Sequence, residues 1–332
     1  MKIKAVFFAL TAAVFFALNV PFSKILLDNV EPTFMAGFLY LGAGVGMSLL
    51  YFLNFKGSEK TEFLSLKDFP FVVGMIVLDI AAPIFLMLGI KYGTSANASL
   101  LGNFEIVATT IFAFLFFKEI ISIRLFFAVI LITLSGMILT FEGVESLQFS
   151  YGSAFVLLAT VCWGFENNCT RKISSKNTFE IVIIKGIFSG LGALIIALMS
   201  GENMPKIFYM LCVMSLGFVA YGLSIFFYVK AQNVIGAAKT SAYYSVAPFV
   251  GALMSFMFLN EKISEKYLFA LVIMAVGSIL VVIDTLILSH IHEHEHFIDE
   301  THKFSHSHAH NHYISLKNHS HFHKEMFNLE NQ

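Results

Sequence analysis

The sequence predicts an all-α polytopic membrane protein of ten transmembrane helices, built as two inverted five-helix repeats and followed by a disordered His-rich C-terminal tail. Hydrophobic residues make up 57% of the 332 residues and charged residues only 13%, about half of the charged share in a typical soluble domain. Apolar runs of about twenty residues recur along the chain, and each can cross a bilayer core. All 12 histidines lie between His290 and His323.

The apolar runs define the ten predicted helices, because a backbone in lipid must satisfy its polar groups internally. The first five are expected at about residues 5–27, 33–54, 70–91, 95–117 and 121–141. The second five are expected at about residues 151–172, 178–200, 206–231, 236–259 and 264–288. The first run lacks a clear cleavage site, so a retained helix is expected there rather than a signal peptide.

Ten spans place both chain termini on the same side of the membrane. Lysine and arginine are more frequent in the loops on the N-terminal side than in the loops on the opposite side. This bias favours cytoplasmic N- and C-termini in a multi-pass protein of the cell membrane. The His-rich tail would then be cytoplasmic as well.

The chain repeats itself. "FAFLFFKEIISIRLFFA" (112–128) aligns without a gap with "MSFMFLNEKISEKYLFA" (254–270), and "FALNVPFSK" (16–24) aligns with "WGFENNCTR" (163–171). Each half has an odd number of spans, so the halves enter the membrane in opposite senses, as in many secondary transporters. The predicted domains are a first repeat, a second repeat and a cytoplasmic tail, at residues 1–143, 144–289 and 290–332.

Over about residues 5–288 the sequence resembles the EamA type of the drug/metabolite transporter superfamily. The resemblance rests on the two-half plan, on "CWGFENNCTRK" at the start of the second half, and on "FLFFKE" and "FMFLNE", which close the fourth and ninth spans. It implies a permease for small metabolites, amino acids or drugs that works by alternating access. It also implies a central cavity lined mainly by spans 1, 3, 4, 6, 8 and 9. Export is the expected direction.

Charged residues inside apolar runs are candidates for function, because a charge at mid-bilayer costs several kcal/mol. Asp79 and Glu105 are expected to couple protons or bind cations. Glu166 and Lys239 are expected to form a gate pair, or Lys239 to bind a substrate carboxylate. The alternative is a structural ion pair, such as Glu166 with Lys185. Lys185 itself is expected to reach the headgroups from a peripheral helix.

Further polar side chains on the predicted cavity spans are candidates for orienting a substrate by hydrogen bonds. They could equally join helices to each other, which is the commoner use of membrane asparagine. These residues are Asn19, Asn97, Asn103, Trp163, Tyr243 and Tyr244. Pro83 and Pro248 are predicted hinges, because a proline inside a helix removes one backbone hydrogen bond and kinks the helix.

The tail places histidine at every second position in "HIHEHEH", "HSHAHNH" and "HSHFH". Alternate residues of an extended chain lie on the same side, and neutral imidazole suits zinc, nickel and copper. The candidate metal ligands are His290, His292, His294, His296, His306, His308, His310, His312, His319, His321 and His323. A solubilising tail or a low-complexity end remains the alternative.

Two other functions stay open. One is a divalent metal-ion exporter that uses the tail as a collector, and the other is a membrane-anchored metal sensor. An enzyme is not expected, because the spans contain no HExxH or GxSxG motif, and no cofactor is required. The expected partners are the lipid bilayer, a small-molecule substrate and divalent metal at the tail, but not nucleic acid. A homodimer is left open.

Overall fold

The computed structural model describes residues 2–53, 62–117, 122–140, 150–173, 176–235, 240, 243–286, 289–299 and 302–311. Helices account for most of these residues up to Leu286. In the first half they are α1 (Lys2–Ala17), α2 (Asn19–Leu26), α3 (Pro32–Leu53), α4 (Phe69–Tyr92), α5 (Ser95–Leu101), α6 (Phe104–Phe117) and α7 (Ile123–Thr140). A short 3-10 helix, Leu66–Asp68, precedes α4.

The second half continues with further helices. They are α8 (Tyr151–Ile173), α9 (Thr178–Met199), α10 (Ile207–Gly217), α11 (Ser224–Ile235), α12 (Ala247–Leu259) and α13 (Glu265–Leu286). A π-helical segment, Phe218–Leu223, joins α10 to α11 without a break.

Among the described residues, 8 helical segments are long and apolar enough to cross a membrane. They coincide with the predicted spans one to five, seven, eight and ten. The sixth predicted span is α8, whose 23 residues are long enough to cross but carry a polar stretch around Glu166. The ninth predicted span contains α12, which has 13 residues. Residues 236–239 and 241–242 of that span lie outside the described part. The prediction of ten spans is therefore supported for eight.

The outer surface of the helices is rich in large apolar side chains. Phe7, Leu49, Leu115, Met199 and Phe269 are all more than half exposed. A soluble protein of this size seldom shows so much exposed apolar surface, whereas a bilayer covers it. The chain is therefore a multi-pass membrane protein.

Several helix pairs approach each other backbone to backbone, and two of these contacts lie beside the buried region described below. α3 packs along α9, and a Cβ atom added to Gly186 would lie 2.4 Å from the backbone nitrogen of Gly44. α4 packs along α8, and a Cβ atom added to Gly152 would lie 2.6 Å from the backbone nitrogen of Gly93. Small residues allow such contact between membrane helices. The two contacts bring α4, α8 and α9 around the same buried region.

Interruptions are described in the first, fourth and eighth spans. The first changes from α1 to α2 at Leu18, three residues before Pro21, which has no N–H to donate to the Ala17 carbonyl. The fourth is broken at Gly102 and Asn103, whose N–H groups donate to Ser99 and Leu100, three residues back. The eighth contains the π-helical segment, a feature that is often found at functional sites.

The described residues beyond Asp284 belong to a separate unit. Within it, β1 (Ser289–Asp299) pairs with β2 (His302–Asn311) in an antiparallel ribbon. The sequence predicts disorder here, since the segment has no apolar face. The two-residue period of the histidines matches the period of a strand, which accounts for the difference. His312, His319, His321 and His323 lie outside the described residues.

Candidate functional site

A buried cluster of three charged side chains joins α4, α8 and α9. The Lys185 ammonium lies 3.1 Å from Oδ2 of Asp79 and 2.9 Å from Oε1 of Glu166. Asp79 is 0% exposed, Glu166 is 2% exposed and the Lys185 side chain is 13% exposed. Two carboxylates thus share one ammonium inside the protein, and we call these three residues the ion cluster.

Hydroxyl groups complete the surroundings of the two carboxylates. The Tyr40 hydroxyl donates to Oδ1 of Asp79 at 2.8 Å, and Nε1 of Trp163 donates to the Tyr40 oxygen at 3.4 Å. The Thr170 hydroxyl donates to Oε1 of Glu166. Because Thr170 is one helical turn beyond Glu166 and Trp163 is one turn before it, all three lie on the same face of α8.

Aromatic side chains connect the ion cluster to the interruption of the first span. The rings of Tyr40 and Tyr221 are 5.0 Å apart, and Tyr221 belongs to the π-helical segment. Nδ2 of Asn19 donates to the Tyr221 hydroxyl at 2.9 Å, and the Ser23 hydroxyl donates to Oδ1 of Asn19 at 3.0 Å. A chain of buried polar groups therefore runs from α2 to α9.

Glu105 lies directly after the interruption of the fourth span. Its Oε1 accepts a hydrogen bond of 2.6 Å from Nδ2 of Asn167, the residue after Glu166. Glu105 also interacts electrostatically with Glu166 and Lys185. A Cβ atom added to Gly164 would lie 2.5 Å from Cβ of Ala108, so α6 and α8 are in close contact here. This contact places Glu105 beside the ion cluster.

Polar contacts also tie helix ends together at the end of the bundle away from the N-terminus. Lys24 Nζ donates to the carbonyls of Ile90 and Gly93, at 2.6 and 2.7 Å, at the C-terminus of α4. The Glu261 carboxylate accepts hydrogen bonds of 2.7 and 2.8 Å from the N–H groups of Ser95 and Ala96, at the N-terminus of α5. Each charge has the sign that favours its helix end.

The EamA-like transporter family model matches the chain twice, over residues 3–141 and 150–283. The protein belongs to the EamA-like transporter family. Its function is thus membrane transport, as the resemblance in the sequence implies, and the two matched segments correspond to the two sequence repeats. This assignment favours a transporter over a membrane-anchored sensor.

Individual relatives agree with this EamA assignment. The chain is 24% identical over 273 residues to an uncharacterized transporter of Methanothermobacter thermautotrophicus, covering 77% of this chain and 79% of that one. A crystal structure superposes with a TM-score of 0.61 at 14% identity, over 85% of this chain and 97% of that chain. At that identity the superposition shows a shared fold and nothing of the substrate.

The structure brings together several of the side chains predicted from the sequence. Asp79 and Glu166 form the ion cluster, and Trp163, Asn19 and Glu105 are connected to it as described above. Tyr244 lies nearby, with its ring 5.8 Å from Phe16 and its hydroxyl 3.3 Å from the Ser224 hydroxyl.

Among the described residues, no hydrogen bond or ion pair joins the remaining predicted side chains to the ion cluster. Asn103 is buried at the interruption of the fourth span, and its Nδ2 has no hydrogen-bond partner among the described atoms. Asn97 is half-buried in α5, and Tyr243 is half-buried just before α12. Lys239 lies outside the described residues, so its predicted pairing with Glu166 stays a prediction.

The structure corrects the expected surroundings of Lys185 and the expected position of Pro248 inside a helix, whereas the hinge role of Pro248 stays a prediction. Lys185 does not reach the headgroups from a peripheral helix, because its ammonium lies 3.1 Å from Asp79 and 2.9 Å from Glu166, two buried acids. The alternative, an ion pair of Glu166 with Lys185, is confirmed, although Asp79 shares the ammonium. Pro248 is not inside a helix but in the first turn of α12, where the missing N–H has no intrahelical partner to lose.

Pro83 does lie inside its helix, α4. It follows Asp79 by four residues, so the Asp79 carbonyl lacks the N–H that would normally bind it. The hinge role of Pro83 stays a prediction. Sequence reasoning missed Tyr40, Tyr221 and Asn167. No sequence pattern distinguishes the two tyrosines from other residues of their apolar runs. Asn167 is adjacent to Glu166 and could have been found as part of "ENN".

Proposed function

We propose that the protein is a secondary transporter that moves a small polar metabolite, such as an amino acid or a related compound, across the cell membrane by alternating access, in the direction of export. The observation that carries this proposal is the coincidence of interrupted helices with buried polar groups. Asn19 follows one interruption, Glu105 follows another, and Tyr221 lies in the π-helical segment. At membrane depth, irregular backbone is kept where it is buried in protein or lines a polar site.

The polar groups at the fourth-span interruption suit a solute that has both a donor and an acceptor. The Glu105 carboxylate can accept from an ammonium or hydroxyl group, and the Asn103 amide is a buried donor without a described partner. A substrate amine and a substrate carboxylate would satisfy both. An amino acid or a similar zwitterion is therefore the substrate class that these two side chains favour.

The contacts of Lys24 and Glu261 support alternating access. They close one end of the bundle by holding α4 and α5 against α2 and α12. With cytoplasmic termini, as the loop charges favour, the closed end faces outward. A solute to be exported would then reach the polar groups from the cytoplasmic end, and release would need these contacts to open.

The experiment is a transport assay on the full chain reconstituted into liposomes. The vesicles are loaded with a labelled mixture of amino acids, and efflux is compared with that from protein-free vesicles. We expect efflux of at least one compound that saturates with its concentration. Equal efflux from both vesicle types, for the amino acids and for a broader set of polar metabolites, would contradict the proposal.

A second candidate function, divalent metal export with the tail as collector, has one observation in its favour. The ribbon register places His290 opposite His310, His292 opposite His308 and His294 opposite His306. Opposite residues of an antiparallel pair share a face. The ribbon therefore gathers three histidine pairs on one face. In the helical part described by the structure, no group of three or more His, Cys, Asp or Glu side chains could hold a metal ion.

Metal binding at the ribbon can be tested apart from transport. Zinc or nickel binding is measured by calorimetry on the full chain and on a variant with His306, His308 and His310 all changed to asparagine. We expect the variant to lose most of the binding. Unchanged binding would remove the ribbon as a metal site. Zinc uptake into vesicles, with and without residues 290–332, then tests the metal-export candidate.

A further inference from the structure

The formal charges of the ion cluster do not cancel. Asp79 and Glu166 contribute two negative charges when ionised, and Lys185 contributes one positive charge, so the three sum to minus one. Among the side chains that the structure describes, no second ammonium or guanidinium group pairs with these two acids. A buried charge without such compensation is strongly unfavourable, and it favours the binding of a proton or a counter-ion. One proton bound to either carboxylate would leave a neutral cluster.

The geometry allows the proton to reside on either acid. Lys185 Nζ touches one oxygen of each carboxylate, so it can stay paired with whichever acid remains ionised. Tyr40 donates to Asp79, and Thr170 donates to Glu166. Because the two acids share one ammonium, a proton on one acid leaves the ammonium paired with the other. By formal charge, the three side chains are neutral when one proton is bound.

The cluster also bridges the two repeats. Asp79 belongs to the family segment 3–141, whereas Glu166 and Lys185 belong to the segment 150–283. When the proton is on Asp79, the ion pair of Lys185 with Glu166 persists inside the second segment, but the charged link between the segments is lost. Proton binding therefore changes how strongly the two segments hold together. A ligand shifts a conformational equilibrium when it binds the two states with different affinity.

We propose that Asp79, Glu166 and Lys185 form the binding site of a coupling proton, whose uptake and release accompany each transport cycle. This inference rests on the proposed transport function. The proton enters as H⁺ from the aqueous phase on one side, is held by a carboxylate of the cluster, and leaves as H⁺ on the other side.

Other titratable groups interact with the cluster from every helix packed around it. They are Tyr40 on α3, Glu105 on α6, Cys162 and Cys169 on α8, and Tyr221 in the π-helical segment. Glu105 is a third carboxylic acid beside the cluster and could also bind a proton. A test of the cluster must therefore separate Asp79 and Glu166 from Glu105.

Trp163 provides an intrinsic reporter for this test. It is the only tryptophan of the chain, and its Nε1 donates to the Tyr40 oxygen, while the Tyr40 hydroxyl donates to Asp79. Two hydrogen bonds thus connect the indole ring to Asp79, so a change of charge at Asp79 should alter the fluorescence. The fluorescence of the full chain in lipid nanodiscs is recorded from about pH 5 to about pH 9, a range in which buried acids can titrate.

In the native protein we expect a single transition of Trp163 fluorescence with pH, and this transition should fit the binding of one proton. Asp79→Asn and Glu166→Gln should each abolish it, because each removes the excess negative charge. Glu105→Gln should keep the transition with a shifted midpoint. Glu31→Gln, which breaks an exposed ion pair with Lys91, should leave it unchanged. Native protein without any transition, or Asp79→Asn and Glu166→Gln variants that both retain it, would overturn the proposal.

A second measurement distinguishes failure of this inference from failure of the proposed function. Vesicles containing the native protein and a pH-sensitive dye are exposed to an amino-acid mixture on one side. Amino-acid flux with an accompanying pH change supports both proposals. Flux without proton movement overturns the coupling proton and leaves the transport function intact. Absence of flux counts against the transport function, and the fluorescence titration alone then decides whether the cluster binds a proton.

Discussion

Oε1 of Glu261, just beyond α12, accepts a hydrogen bond of 2.7 Å from the backbone N–H of Ser95, the first residue of α5. The contact ties the ninth span to the fourth across the two family segments. Ala96 donates to the second carboxylate oxygen at 2.8 Å. Beside this contact, Lys24 holds the C-terminus of α4. These residues are placed to keep one end of the bundle closed.

Opening of this end should become easier in Glu261→Gln. The glutamine keeps one acceptor oxygen but loses the charge that favours a helix N-terminus, and a hydrogen bond to a charged group contributes about 1.5–3 kcal/mol. We expect roughly tenfold faster thiol labelling of a Ser99→Cys reporter from that side. Labelling is measured in a background in which the three native cysteines are replaced.

Glu31→Gln is the matched control for this labelling experiment, because Glu31 forms an exposed ion pair at the same end of the bundle. Exposed pairs contribute little to stability, so its labelling rate should equal that of the parent. If Glu261→Gln also labels at the parent rate, the carboxylate does not hold this end closed.

Removal of the Lys185 ammonium should strongly destabilise the protein. Lys185→Met leaves two buried carboxylates without their shared partner, and breaking a buried ion pair typically costs about 3–5 kcal/mol. The melting temperature in detergent should fall clearly. Adding Asp79→Asn to Lys185→Met should restore part of the loss, because it removes one of the two orphaned charges. Equal melting of native protein and Lys185→Met would show that the ammonium is not needed for stability.

The contact between α3 and α9 should tolerate no added side-chain atom at Gly186. A Cβ atom there would lie 2.4 Å from the backbone of Gly44, so Gly186→Ala must push the helices apart. We expect a loss of about 1–3 kcal/mol, as for overpacked cores, together with a change in Trp163 fluorescence as the neighbouring Lys185 shifts.

Gly136→Ala on α7 is the control for Gly186→Ala, because its Cβ would meet its nearest neighbours at 3.6 and 3.7 Å, an ordinary contact. It should melt at or above the temperature of the native protein, since alanine favours a helix. The close-approach argument fails if Gly186→Ala is as stable as Gly136→Ala.

The ion pair between Glu62 and Lys176, 2.8 Å apart outside the membrane spans, should respond to pH in two directions. The hydrogen bond from Lys176 lowers the pKa of Glu62, and the same bond raises the pKa of Lys176. The contribution of Glu62 is lost as pH falls through its lowered pKa, and that of Lys176 is lost as pH rises through its raised pKa.

At pH values between the pKa of Glu62 and the pKa of Lys176, the ion pair should hold. In a double variant that carries Glu62→Cys and Lys176→Cys, crosslinking of the two thiols measures how close the two segments lie. In the native sequence, proteolysis near residue 62 should increase at both pH extremes. Cleavage that is independent of pH would show that the pair does not restrain this segment.

The sequence predicts most of the helices and the acidic members of the site. Asp79, Glu105 and Glu166 stand out because charges are rare in apolar runs. Lys185 stands out equally, but its partner depends on which helices are neighbours, and hydropathy along one chain does not contain that information. Gly186 and Gly190 indicate which face of α9 packs against another helix, since small residues mark the face on which a membrane helix packs.

The interruptions of the helices were harder to predict. Pro21 and Pro83 mark positions where a carbonyl loses its usual donor, yet a proline inside a run does not reveal whether the helix bends or ends. Pro248 illustrates this, because the helix begins beside it. The break at Gly102 and Asn103 and the π-helical segment depend on packing against other spans. The tail was expected to be disordered because it is polar and has no periodic apolar face.

The most direct test of the transport site is the initial rate of amino-acid efflux from vesicles containing native protein, Asp79→Asn, Glu105→Gln or the control Glu31→Gln, with equal amounts of folded protein in each. The proposed site predicts a native rate for Glu31→Gln and a loss of about tenfold or more for Asp79→Asn and for Glu105→Gln, since a charge within a membrane span is costly to keep without a role. Native rates for both variants would contradict a transport site at these two acids.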